Sequence, residues 1–258
     1  MTRVGFIGSG AIRRLACESL ADSACPVEVV ATLVRPGQES DTPDAVTSVE
    51  ALIASAPDLV VECASHAAVE AYGERILATG HSLLLVSIGA LADDALHARL
   101  EAAARAGGGR LVLASGAVGG LDALRAARRG GLDEVIYKAR KPAMNWAGSA
   151  SCADIDLAAL DAPRIIYAGS AREAARAFPK NSNVAAAVAL AGIGLDATRV
   201  ELIADPSAVS NHHEIRFSGR DGSFAFEMCG NPAPDNPKTS MLTAHSVAQS
   251  IVEFELRA

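Results

Sequence analysis

The chain has 258 residues, half of them hydrophobic and 21% charged, with a formal net charge of −7. That apolar fraction excludes global disorder. An acidic chain with no Lys/Arg run longer than two residues repels phosphate backbones, so nucleic acid is not an expected partner. Aromatic residues make up only 4%, which suits a close-packed α/β protein better than an aromatic-rich β-sandwich.

The longest apolar stretch, Val184–Leu195, falls well short of the ~18 residues a membrane-spanning helix needs. Met1-Thr2-Arg3 leads at once into a strand-like run and not into a signal peptide. The five cysteines are odd in number and lack CxxC spacing, which reads as isolated reduced thiols and not as a disulfide framework or zinc ribbon. No carboxylate/histidine spacing suggests a metal. A soluble cytoplasmic protein is expected, with no membrane and no metal.

In chain order, strands are predicted at Arg3–Ile7, Val27–Val34, Leu59–Glu62, Ser82–Val86 and Arg110–Ala114. Helices are predicted between them at Ala11–Ala21, Val49–Ala54, Ala67–Thr79 and Ala92–Ala106. Strand-helix repetition with unalternated apolar strands argues for a Rossmann-type doubly wound parallel sheet. After Gly119-Gly120 the pattern changes. A helix at Leu121–Arg128 precedes a strand of mixed polarity, Glu134–Arg140, and a loop over Pro142–Ser151. A strand at Arg164–Gly169 and helices at Ala171–Ala177 and Val184–Ala191 follow, the last capped by Ser182 or Asn183. Strands are then predicted at Thr198–Ala204, Asn211–Gly219 and Ser223–Cys229, the last two joined by an Arg220-Asp221-Gly222 hairpin. Gly230–Pro237 reads as a linker and Ser240–Phe254 as a helix. The expected plan is a dinucleotide-binding domain over 1–118 and a mainly antiparallel α+β domain over 119–238, serving catalysis and dimerisation. The last helix, 239–258, is expected to pack back onto the first domain.

Gly8-Ser9-Gly10-Ala11-Ile12-Arg13 follows the first strand and opens the first helix, the context a dinucleotide fingerprint requires. Gly8 permits the tight turn. Gly10 lets the backbone approach a pyrophosphate, and the amides opening the helix at Ala11 and Ile12 face it. Arg13 departs from the usual Gly or Ala. The second strand ends in Leu33-Val34-Arg35, without the acid that binds ribose hydroxyls. Arg35 suits the 2′-phosphate of NADP or is simply a solvated arginine, so NAD or NADP is expected; Asp41 and Asp44 are weak stand-ins for the acid. Small residues at the carboxyl ends of parallel strands bind ligands, which adds Ala64 and Ser87 to the cofactor candidates.

His212 and His213 begin a strand, and adjacent strand residues face opposite ways, so one of them at most points at a given ligand. Histidine suits proton transfer near neutral pH, with an ordinary value near ~6.5.

Several segments in fixed order resemble the L-aspartate dehydrogenase family across nearly the whole chain. They include Gly8-Ser9-Gly10-Ala11-Ile12, Val61-Glu62-Cys63-Ala64-Ser65, Ser115-Gly116-Ala117-Val118-Gly119-Gly120, Tyr137-Lys138-Ala139-Arg140-Lys141-Pro142, Phe178-Pro179-Lys180-Asn181-Ser182-Asn183 and Asn211-His212-His213-Glu214-Ile215. The resemblance implies NAD(P)-dependent oxidation of L-aspartate to iminoaspartate, feeding NAD biosynthesis, in a homodimer. It selects His213 as the active-site histidine through an NxHEI register, and Ala117 and Asn183 as further cofactor contacts. Both substrate carboxylates need cationic or N–H partners, for which Asn211, Lys180 and Lys238 are candidates. Two rival readings are a dihydrodipicolinate-reductase-like oxidoreductase, which also has a His-His pair, and a non-catalytic nucleotide-sensing protein. The first lacks its DAPSGT-like segment here, and Asn211 with His213 speaks against the second.

Overall fold

The computed structural model describes residues 1–21, 23, 25–39, 42–233 and 236–256, leaving out the side chains of residues 150, 237 and 238. The chain divides into two units, Met1–Ala114 with Thr243–Ala258, and Ser115–Leu242.

In the first unit, runs of apolar residues form the strands, and those at Leu59–Glu62 and Ser82–Leu85 are buried along their whole length. The strands are β1 (Thr2–Ile7), β2 (Val27–Leu33), β3 (Ala45–Val46), β4 (Leu59–Glu62), β5 (Ser82–Leu85) and β6 (Leu111–Leu113). They pair in parallel in the order β3-β2-β1-β4-β5-β6. The order reverses between β1 and β4, and ligands of such sheets bind beyond the carboxyl ends of the strands at that switch point. The connecting helices are α1 (Ala11–Ala21), α2 (Val49–Ala54), α3 (His66–Ala78) and α4 (Asp94–Gly107). Ser48 and Ser65 cap α2 and α3 by accepting backbone N–H bonds from Ala51 and Ala68. The helix expected from Ala92 starts at Asp94, because Asp93 takes the cap position, accepting from Ala95 and Leu96. Ile88–Ala92 instead forms a 3-10 turn.

The second unit comprises α5 (Leu121–Gly130), β7 (Leu132–Pro142), β8 (Arg164–Ser170), α6 (Ala171–Ala177), α7 (Asn183–Ala191), β9 (Arg199–Asp205), β10 (Asn211–Gly219) and β11 (Gly222–Gly230). The sheet runs β11-β10-β7-β9-β8 and is antiparallel except for the parallel pair β7–β9. Four sequence expectations need correcting. Gly222 belongs to the strand, pairing with Gly219 across a two-residue Arg220-Asp221 turn. The supposed linker contains a small ribbon, β12 (Pro232–Ala233) with β13 (Asn236–Ser240). Ser182 stands at the cap position of α7 but makes no cap bond, since its hydroxyl donates to the Ala174 carbonyl. Part of the predicted Pro142–Ser151 loop winds into a 3-10 turn at Ala143–Trp146.

Alternation splits the second sheet into two faces. Val135, Tyr137, Ala139 and Lys141 of β7 are buried, together with Asn211, His213, Ile215 and Phe217 of β10. Arg140, His212 and Arg216, on the other face, are exposed. α8 (Met241–Glu255) returns to the first unit, where Val247, Ala248 and Ile251 join Val4, Phe6, Leu59, Val61 and Leu84 in one core. Among the described residues no helix is long and apolar enough to cross a membrane.

Candidate active site

The phosphate turn sits at the end of β1. Gly8 has φ +97° and its N–H donates to the Leu33 carbonyl at 2.9 Å. A Cβ there would lie 3.0 Å from the Ala64 Cβ. At Gly10 a Cβ would meet nothing within 4 Å. The backbone there is open to an approaching group, as a pyrophosphate requires, and α1 begins at Ala11 with its first amides available. The turn therefore fits a dinucleotide.

Arg13, the departure from the fingerprint, has a structural partner. Its guanidinium donates to both carboxylate oxygens of Asp44, at 2.8 and 3.1 Å, and to the Thr32 hydroxyl at 2.9 Å, and it lies over the Phe6 ring. The Thr32 hydroxyl in turn donates to Asp44 at 2.6 Å. Asp44 is thus bound into a clamp between α1, β2 and the segment before β3, and is not a free ribose acid. Asp41 lies outside the described residues. Arg35 is exposed just past β2, and its Nε donates to the Gln38 side chain at 3.2 Å.

Glu62, which sequence reasoning passed over, organises the neighbouring strand ends. It is fully buried at the end of β4. One carboxylate oxygen accepts the N–H groups of Ala64 and Ser65, each at 2.8 Å, and the Ser87 hydroxyl at 2.9 Å; the other accepts the Ser87 N–H at 3.0 Å. Burial raises its pKa, while these bonds pull the other way. Ala64 and Ser87, both cofactor candidates, therefore have their backbone N–H groups turned inward onto this carboxylate. Ala64 is exposed and Ser87 is buried.

In the second unit His213 is 4% exposed, and its Nδ1 lies 2.7 Å from the hydroxyl of the fully buried Tyr137. The two rings are within 18° of parallel. Since Tyr137 takes Nδ1, Nε2 is the ring nitrogen left for a substrate. Burial drives the His213 pKa down to about 3, with the charge of Lys141 and then that of His212 adding to the effect. The ordinary histidine value expected from sequence is therefore corrected: near neutral pH the imidazole is uncharged. His212 lies on the exposed face, its Nε2 3.3 Å from the Ser210 hydroxyl and 3.5 Å from the Cys229 sulfur.

Lys141 is also buried, at 8% exposure, two residues along β7 from the partner of His213, Ala139. Its ammonium lies 5.0 Å above the Trp146 ring and donates to the Asn181 side-chain oxygen at 3.4 Å. Burial lowers its pKa to about 8. Asn211 is buried nearby in sequence register, accepting from the Asn145 side chain at 3.5 Å. The lysines chosen from sequence are placed differently: Lys180 is exposed, and the side chain of Lys238 lies outside the described residues. Ala117 is buried in the turn after β6, and Asn183 is the first residue of α7. A Cβ on Gly116 would lie 3.9 Å from Val184, so that turn runs beside the start of α7. Strand alternation held the signal for Tyr137 and Lys141, which share a face with Val135 and Ala139. Glu62 ends a run buried on both faces and gives no such signal.

Comparisons with known proteins agree along the chain. Residues 4–114 match the family model described as homoserine dehydrogenase, NAD binding domain, and residues 122–254 match aspartate dehydrogenase, C-terminal. The chain is 48% identical over 253 residues to an L-aspartate dehydrogenase of Ruegeria pomeroyi, covering 96% of this chain and 91% of that one. It is 47% identical over 259 residues to an L-aspartate dehydrogenase of Cupriavidus necator, covering 97% of each. The solved structure of an aspartate dehydrogenase from Thermotoga maritima superposes with a TM-score of 0.77 at 26% identity, covering 99% of this chain and 97% of that one. A cofactor turn in a parallel sheet, a histidine buried on a second sheet, and relatives sharing nearly half their residues over almost the full length lead to one assignment: this chain belongs to the L-aspartate dehydrogenase family.

Proposed function

We propose that this protein oxidises L-aspartate to iminoaspartate with NAD or NADP as acceptor, supplying NAD biosynthesis. Family membership supports the reaction. The observation that carries it in this chain is His213, a buried neutral imidazole with one ring nitrogen to spare, on the same sheet face as a buried lysine.

A bound nicotinamide cofactor would supply the acceptor for the hydride of the aspartate Cα. Gly8, Gly10, Ala11 and Ile12 would hold the pyrophosphate, Arg35 would meet a 2′-phosphate, and Ala117 and Asn183 would be further cofactor contacts. The substrate ammonium group must shed one proton before its lone pair can expel hydride. His213 takes that proton at Nε2. For this, Nδ1 must carry hydrogen and donate it to the Tyr137 oxygen, so Tyr137 sets the tautomer and then steadies the imidazolium. Asn211 contributes amide contacts to the substrate.

The test is NAD(P)H absorbance with L-aspartate, each cofactor in turn, against a panel of other amino acids. Turnover confined to L-aspartate supports the reading, and absence of turnover with both cofactors refutes it. We further propose a cytoplasmic homodimer. All five cysteines are free thiols, and Arg140, His212 and Arg216 mark an exposed outer sheet face suited to a two-fold partner. Sedimentation at micromolar concentration measures the assembly, and a monomer would contradict it.

A further inference from the structure

Among the described residues, Lys141 is a buried cation without a matching anion. An ammonium group has three donors. Among the described residues, this one makes a single long hydrogen bond, 3.4 Å to a neutral amide, against a usual 2.9–3.0 Å, and it rests over an indole ring. Burying a charge is costly unless it is paired and hydrogen-bonded. No carboxylate among the described residues pairs with it, although every other buried or half-buried charge singled out above has dedicated partners: Arg13 has Asp44, and Glu62 has four donors.

Polar side chains lie close by. The side-chain amide of Asn181 touches it, and the 3-10 turn that brings Trp146 beneath it also brings Asn145 to Asn211. His213 faces the same side of the sheet across the Ala139 register, about 7 Å of strand away, within the span of a four-carbon dicarboxylate. We propose that Lys141 is the cationic seat for one carboxylate of the dicarboxylate substrate. This rests on the aspartate-oxidation reading for the identity of the substrate, and not for the existence of the seat.

Lys141 also works on His213. Its charge is one of the forces that hold that imidazole unprotonated. A carboxylate docked on the ammonium offsets that charge, so the arriving substrate itself makes His213 a better base at the moment it is needed.

The test pairs Lys141→Met with Lys141→Arg. For Lys141→Met the KM for L-aspartate should rise about 10- to 100-fold, the worth of one charge-assisted contact, while NADP binding by fluorescence titration stays at the parental value. Lys141→Arg should recover most of the loss. Succinate, a dicarboxylate without the amine, provides a readout independent of turnover. With NADP present it should raise the melting temperature of the parent and of Lys141→Arg, and not that of Lys141→Met. Lys141→Met without ligand should melt no lower than the parent, since it removes a buried unpaired charge; a lower melting temperature would mark a structural lysine and overturn the proposal. Parental KM with a parental succinate shift in Lys141→Met would also overturn it. A parent that responds to succinate but does not oxidise aspartate would refute the reaction and leave the seat standing.

Discussion

The two units handle charge in opposite ways. In the first, the buried and half-buried charges near the cofactor turn are satisfied from within: Arg13 by Asp44 and Thr32, Glu62 by four donors. Recognition there falls to backbone amides and to the space left by glycine. In the second, a lysine is buried against a ring and one amide, and a histidine is held far below its ordinary proton affinity. The buried charges of the first unit are already paired, whereas the proposed seat at Lys141 awaits a carboxylate.

Six substitutions probe that contrast, taken from the largest expected effect downward. His213→Ala should lower kcat on L-aspartate by about 10²–10⁴-fold with cofactor binding intact, whereas His212→Ala, on the exposed face, should stay within about tenfold of the parent. Steady-state kinetics on both variants reads this, and a reversed pattern would move the chemistry to the outer face. Gly10→Val should abolish cofactor binding in a folded protein, because a side chain there meets only the space a pyrophosphate would fill. Gly8→Ala should instead lower stability, since φ +97° disfavours any Cβ and Ala64 stands 3.0 Å away. Circular dichroism melting with cofactor titration separates the two behaviours.

Glu62→Gln leaves at least one buried N–H facing an amide that cannot accept it. A stability loss of about 1–3 kcal/mol is expected, together with weaker cofactor binding as the Ala64 and Ser87 turns loosen; urea denaturation with and without NADP measures both. Arg35→Asp should weaken NADP by about 10- to 100-fold, the worth of about 1.5–3 kcal/mol, and leave NAD nearly unchanged. Equal losses in isothermal titration would remove the 2′-phosphate role.

Much of the first unit was legible because its signals are local. The boundaries of α1, α2 and β4 follow from a glycine turn, a serine cap and apolar runs. Asp93 was readable as a cap, yet the helical pattern on either side of it hid the break. The second unit yielded its strands and its histidine pair, but the resemblance, not spacing, chose His213. Lys141 was overlooked because Lys138, Arg140 and Lys141 together look like a solvated cluster; only the period of two sets Lys141 apart, on the face of Val135 and Tyr137. Glu62 was illegible for a different reason. A carboxylate ending a strand buried on both faces has no periodicity, and its partners come from two loops that only the fold brings together.

The state of His213 tests the contrast most directly. A nitrogen-15 histidine NMR titration, with its resonances assigned by their absence in His213→Asn, reads the protonation of the ring. In the free protein His213 should remain neutral down to about pH 4, consistent with a pKa of about 3. The sign for stability follows: the unfolded chain takes up this proton near ~6.5 and the folded one does not, so stability falls as pH drops from there toward 3, by up to about 1.4 kcal/mol per unit. Adding succinate and NADP should move the titration upward, as a carboxylate offsets Lys141. A free-protein titration near ~6.5, or one that succinate leaves unmoved, would contradict the account of a charge held in reserve for the substrate.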